Sequence, residues 1–200
     1  MEELYTTWKA IGVAGGDLSF FQDFFVKFYQ AFIEGDRWLQ YLNGVKTTLL
    51  VTALALILGI VLGVLVAMLR TAHDQQRPGH RNPILAVLNL ICKVYVTVIR
   101  GTPMMVQLLI MGFVIFASSR NFTMIGTLTL GINSGAYVSE IVRGGLMSVD
   151  VGQSEASRSL GLGYVDPMRF IVIPQAFKAI LPSLGNEFIV LLKDTSLISI

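Results

Sequence analysis

Five polar or charged residues, Ser183, Asn186, Glu187, Lys193 and Asp194, stand close together in an otherwise apolar stretch near the end of the chain. At helical spacing they fall within about a third of a helix circumference. A charge turned to lipid costs at least about 2.5 kcal/mol, so charges at membrane depth face a bundle interior or an aqueous cavity. Glu187, Lys193 and Asp194 are therefore candidates for lining a translocation path. The alternative, that Lys193 and Asp194 hold helices together or sit near the membrane rim, stays equally open. Asn133 joins the candidates from a second polar row. Gly126, Asn133 and Glu140 recur every seven residues with Tyr137 and Gly144 on the same side, a face expected to look into the bundle. Glu140 itself reads as a rim residue within reach of Arg143 at i+3.

The sequence offers no active site beside these candidates. No G-x-x-x-x-G-K-[ST] phosphate loop occurs, and no zinc, nucleophile-elbow or dinucleotide fingerprint. His73 and His80 lie in one basic loop and read as solvated side chains rather than metal ligands. Cys92, the single cysteine, can form neither an internal disulfide nor a metal cluster, and reads as a small packed hydrophobe. No cofactor is expected and the chain is not expected to be an enzyme. Energy for uphill movement must come from a partner or an ion gradient.

A second constellation is "VDVGQSEASRSLGLGYVDPMRFIVIPQA", residues 149–176, a polar passage held between apolar runs. Asp150 can cap a short helix from about Gly152 to Leu160, and Gly161 can end it in a left-handed conformation. On that helix Glu155, Ala156 and Ser157 are compact, Ala156 and Leu160 share a face, and Arg158 lies away from it. Such a helix can push a narrow, mainly apolar surface into a groove on another protein, or it can rest on the membrane.

The elements that must position these residues follow from composition. Of 200 residues 54% are hydrophobic and 14% charged, against about 25% charged in soluble domains. About 20 apolar residues cross a hydrocarbon core of about 30 Å, and Val45 to Leu69 holds no charge except Lys46. Further spans are expected at Ile84 to Ala117, interrupted at "RGTP", at Phe122 to Val142, and at roughly Phe177 to Ile200. As one straight helix, Ile84 to Ala117 would be about 50 Å long, too long for a bilayer. Gly101 and Pro103 should bend it and let Arg100 turn toward protein or the cytoplasmic headgroups, as a static kink or as a hinge. In the first span Thr48, Thr52, Ala55, Gly59 and Gly63 make a small-residue stripe that admits a neighbouring helix.

Residues 1–43 carry six acids against three bases and many aromatics, which suggests a short extracytoplasmic helix at the membrane interface. No cleavable signal is evident. Arg70, Arg77 and Arg81 against Asp74 place the next loop in the cytoplasm and the N-terminus outside, with Arg120 in the following outer loop dissenting. Residues 144–174 then return to the cytoplasm. The expected architecture is an all-α polytopic membrane helical bundle, with residues 1–43 interfacial and residues 44–200 one transmembrane domain without repeats. A net charge of +2, dispersed along the chain, gives no reason to expect nucleic acid as a partner.

The polar passage also resembles a known signature. "EASRSLGLGYVDPMRFIVIP" is similar to the cytoplasmic E-A-A-x3-G-x9-I-x-L-P motif of permease subunits of binding-protein-dependent ABC importers; Glu155, Ala156, Gly161, Ile171 and Pro174 match it, while Ser157 and Ile173 are mild replacements. "VKTTLLVTALALILGIVLGVLVAMLR", "VIRGTPMMVQLLIM", "GAYVSEIVRGGLMSVDVGQSEASRSLGLG" and "LPSLGNEFIVLLKDTSLISI" look like the polar amino acid branch, of histidine, glutamine and arginine type, over roughly Gly44 to Ile200. The resemblance implies a type I importer fold in a bacterial cell membrane and a coupling helix at 150–174, with Leu160 among its docking residues. It implies as partners a cytoplasmic ABC ATPase that hydrolyses ATP in trans, an extracytoplasmic solute-binding protein, a second permease subunit, identical or related, and a small amino acid substrate. Family members continue through another span after "DTSLISI", so a C-terminal span is expected to be missing here. Two other classes compete: a secondary transporter or channel, which would favour an inverted repeat, and a non-transporting scaffold, which leaves the charges of the last span unexplained.

Overall fold

A computed structural model describes residues 1–76, 82–161, 163 and 165–199. Arg77, His80 and Arg81, which belong to the loop used for orientation, lie outside the described residues, as does Ile200. Among the described residues all regular structure is helical and no strand occurs. The chain divides into two compact units, residues 1–48 and 49–200.

The first unit is a helical hairpin where one short helix was expected. Helices α1 (Glu2–Val13) and α2 (Phe20–Phe32) pack through Tyr5 stacked on Tyr29 at 4.2 Å and Trp8 edge-on to Phe25 at 5.4 Å. Ser19 starts α2 with a capping box, its N–H donating to Gln22 Oε1 at 2.9 Å. α2 divides into sectors: Val26 and Tyr29 face α1, Asp23 and Lys27 pair at 2.7 Å, and Phe20, Phe21, Phe24, Phe28 and Phe32 form an exposed aromatic row. Lys9 Nζ donates to Glu34 Oε1 at 2.6 Å, and the carboxylate holds the Lys9 ammonium above its ordinary pKa. A 3-10 turn, Glu34–Asp36, with Gly35 at φ +65°, then leads into helix α3 (Arg37–Asp74).

In the second unit the rest of α3 is followed by α4 (Pro83–Gly101), α5 (Met104–Ile110), a π-helical turn (Met111–Ile115) and α6 (Phe122–Met147). Next come α7 (Val151–Ser159), α8 (Val165–Pro167), a second π-helical turn (Met168–Val172), α9 (Ile173–Asp194) and a closing 3-10 turn (Thr195–Ser199). By length and apolar composition α3 and α4 qualify as membrane spans. At about 1.5 Å per residue, α6 and α9 reach roughly 39 Å and 33 Å, but they carry more polar groups.

α6 sits at the centre because small residues let its neighbours close in. A β-carbon on Gly59 would lie 2.6 Å from Ser134 Oγ, and one on Gly63 2.6 Å from Val138 Cβ and 2.9 Å from the Ser139 nitrogen, so the α3 stripe abuts α6 backbone to backbone. These pairings rise together along both helices, which makes α3 and α6 parallel. Gly126 meets Ile198 and Gly145 meets Ile180, which makes the C-terminal segment antiparallel to α6. Val51, Ala55, Leu130 and Leu191 form the apolar core.

One expectation about α6 is met in part and another needs correction. Of the row spaced by seven, Gly126 is buried against Ile198, Asn133 and Glu140 are half-buried, and Tyr137 and Gly144 are exposed, while the fully buried arc also takes in Leu130, Ser134, Val138 and Gly145. Glu140 pairs with Arg70 of α3 rather than with Arg143, which reaches Asp74 at 3.1 Å. The parallel neighbour presents these counter-charges, and no local spacing rule could reveal them.

Candidate functional site: a charged cleft at a helix break

The interruption at "RGTP" is a complete break. Thr102 and Pro103 are extended, with φ/ψ of −111°/140° and −61°/139°, between the end of α4 and the start of α5. Ending a helix strands its last carbonyls, and in a membrane such groups need protein partners. Gln107, buried one turn into α5, supplies them: Nε2 donates to Ile99 O at 2.7 Å, Thr102 O at 3.1 Å and Thr102 Oγ1 at 2.8 Å. Its Oε1 accepts from Asn133 Nδ2 at 3.1 Å, so the break is stapled to α6.

Beside the break opens a cleft of about 460 Å³ walled by Arg100 to Met104, by Asn133 and Tyr137 of α6, and by Glu187, Val190, Leu191 and Asp194 of α9. Arg100 swings over the Tyr137 ring, 5.1 Å from its centroid, a cation–π contact that holds the guanidinium toward protein. Glu187 is buried and Asp194 half-buried. Three of the residues singled out in the sequence, Asn133, Glu187 and Asp194, thus come together, while Lys193 is exposed and does not line this cleft. Arg100, Gln107 and Tyr137 were not picked as site residues. A buried-grade glutamine one turn after a Gly-Thr-Pro break was the available signal for Gln107.

The second constellation forms a short projecting helix. Asp150 caps α7, its Oδ1 accepting from Gly152 N at 2.6 Å, and Gly161 ends it at φ +85°. Glu155, Ala156 and Leu160 are exposed, Leu160 by 83%, while Ser157 is buried. Ile171 is half-buried in the π-helical turn and Pro174 exposed in the first turn of α9. Arg158 lines a cavity of about 370 Å³ between α7 and the ends of α3 and α6.

Comparison with known proteins bears on the family and the fold. Residues 84–200 match the family described as binding-protein-dependent transport system inner membrane component. The putative glutamine transport system permease protein GlnP of Rickettsia prowazekii is 37% identical over 161 residues, which is 79% of this chain and 69% of that one. The glutamine transport system permease protein GlnP of Escherichia coli is 39% identical over 118 residues, 56% of this chain and 52% of its own length. The crystal structure of an amino acid ABC transporter with histidines superposes with a TM-score of 0.65 at 39% identity, over 80% of this chain and 74% of that one. An inward-facing MetNI methionine ABC transporter gives 0.63 at 23% identity, over 79% and 72%, a likeness of fold.

Proposed function

The chain belongs to the inner membrane components of binding-protein-dependent transport systems, the permeases of ATP-driven importers, and on that premise we propose that it carries a polar amino acid through the cleft of Arg100, Asn133, Tyr137, Glu187 and Asp194. The observation that supports this most is the presence of both charge signs in one cleft beside a helix break. An amino acid is a zwitterion: its carboxylate suits the guanidinium of Arg100, its ammonium suits Glu187 and Asp194, and Asn133 offers an amide to a polar side chain. An anion carrier would need only the first set and a cation channel only the second. Relatives named for glutamine transport support an uncharged polar substrate of this class.

The projecting helix α7 docks on a cytoplasmic ATPase. Glu155, Ala156, Leu160 and Gly161 form the contact, and Ile171 and Pro174 its base. ATP is hydrolysed on that partner and not on this chain. A solute-binding protein delivers the amino acid from outside, and a second permease subunit completes the path. The aromatic row of α2 lies at the outer membrane interface, with the N-terminus extracytoplasmic; the acid excess of residues 1–43 and the half of the basic loop that includes Arg70 support this orientation.

The cleft is tested by uptake of labelled L-glutamine and L-arginine in vesicles holding the permease, its ATPase and its binding protein. Removing one charge-assisted contact worth about 1.5–3 kcal/mol should lower uptake by roughly tenfold or more in Glu187→Gln and Asp194→Asn, with Lys193→Gln near normal. Normal uptake in both acid variants rules the cleft out.

A further inference from the structure

We infer that Asn133 is a specificity-determining residue of the cleft: Gln107 holds its amide in one orientation, with an acceptor left for the substrate, so that the cleft reads the N–H donors of an amide side chain. The inference rests on the cleft being the path of a polar amino acid. The orientation is set at the helix break. Ile99 O and Thr102 O are carbonyls and can only accept. Thr102 Oγ1 donates its proton to Val98 O at 2.9 Å, so toward Gln107 it is an acceptor as well. All three oxygens require the amide nitrogen of Gln107, and Nε2 meets them all. With the nitrogen fixed, Gln107 Oε1 must look the other way, and only a donor can answer it. Asn133 answers with Nδ2 at 3.1 Å. Its nitrogen is thereby turned to α5, and Oδ1 is the limb turned from it.

Among the described residues Asn133 Oδ1 accepts no hydrogen bond, yet it is not sealed among packed atoms. Asn133 is half-buried and stands in the cleft wall, whereas Gln107 is buried and does not line the cleft. Gln107 therefore acts through Asn133, as a positioning residue. With the substrate's carboxylate on Arg100 and its ammonium on the acids, the side chain is the part left for Asn133. The side chain of glutamine ends in two N–H donors; that of glutamate ends in acceptors only. Glutamate would also meet Glu187 and Asp194, so charge alone disfavours it. The γ-methyl ester of L-glutamate has an uncharged side chain without the N–H, and isolates the hydrogen bond. A site built to bond a donor rejects an analogue lacking it, because its own polar atom is left unpaired.

The test is displacement of labelled L-glutamine from the purified permease–ATPase complex by unlabelled L-glutamine or by the ester. The binding protein is omitted, since its own selectivity would mask that of the cleft. Parent, Asn133→Leu and Gln107→Lys are compared. Gln107→Lys keeps donors for the stranded carbonyls at the C-terminal end of α4 but has no oxygen to orient Asn133. Loss of one hydrogen bond predicts that the preference for L-glutamine over the ester falls by on the order of fivefold in Asn133→Leu, with ester affinity within about twofold of the parent. Gln107→Lys should lose part of the same preference. A merely structural role would weaken both ligands alike and leave the preference intact, which overturns the inference. A preference lost in Asn133→Leu but complete in Gln107→Lys overturns the orientation by Gln107. Uptake in vesicles of the full system separates this inference from the transport reading. L-glutamine uptake that Glu187→Gln lowers, with an unchanged preference in Asn133→Leu, sinks the inference alone. So does a parent that carries L-arginine but does not bind L-glutamine, whereas a parent that takes up neither sinks the cleft and the inference together.

Discussion

Gly161 takes φ +85°, and a β-carbon built there meets nothing within 4 Å. Space is available, so any penalty for a side chain is one of backbone conformation, about 1–2 kcal/mol in the left-handed region and eased for asparagine. Gly161→Val should therefore insert normally into membranes but retain several-fold less ATPase on purification, with Gly161→Asn close to the parent. Ala156→Asp, which puts a charge on the exposed side of α7, should lose the ATPase as well, because an unpaired buried charge is strongly disfavoured. Full retention by both Gly161→Val and Ala156→Asp contradicts the docking role. At this scale the sequence revealed what is expensive: Glu187 and Asp194 stand out because charge in an apolar run needs a reason. Lys193 stood out on the same ground yet lies on the exposed side, since the one-dimensional pattern sets cost without setting direction. Gln107 stayed hidden because its role exists only once the break has stranded the carbonyls of Ile99 and Thr102.

Between elements, the contact of α3 with α6 depends on glycine. At Gly63 a β-carbon would lie 2.9 Å from the Ser139 backbone nitrogen, an atom that cannot rotate away. Gly63→Val must part the two helices, at a cost of about 1–3 kcal/mol for overpacking, and should lower the thermal stability of the purified permease. Gly44→Val, at a position with open space around it, should have little effect, and equal stability of the two variants contradicts the close approach. The stripe that includes Gly59 and Gly63 was legible from its spacing, and so was an interruption at Gly101–Pro103, though it was expected as a bend and is a complete break. Which helix the stripe meets was not. The partner of Glu140 was misread for the same reason: sequence offers Arg143 at i+3, while the fold brings Arg70 from 70 residues away.

For the whole molecule, the all-α membrane character was legible from composition and run length, and the family from the motif around Glu155 to Pro174. The hairpin of the first unit was not, because its two helices are held by aromatic stacking between Tyr5 and Tyr29 rather than by any regular pattern. Orientation is a claim at this scale. In a Cys92→Ala background, Gln76→Cys should be protected from an impermeant thiol reagent in intact cells and Gly16→Cys labelled, and the reverse pattern contradicts an extracytoplasmic N-terminus. The most direct measurement of the central claim is uptake of labelled L-glutamine and L-arginine by vesicles containing the permease, its ATPase and its binding protein. An importer permease predicts accumulation of at least one of them that requires ATP and the ATPase and survives collapse of the ion gradients. Accumulation without the ATPase that vanishes with an ionophore would contradict it and assign the cleft to a gradient-driven carrier.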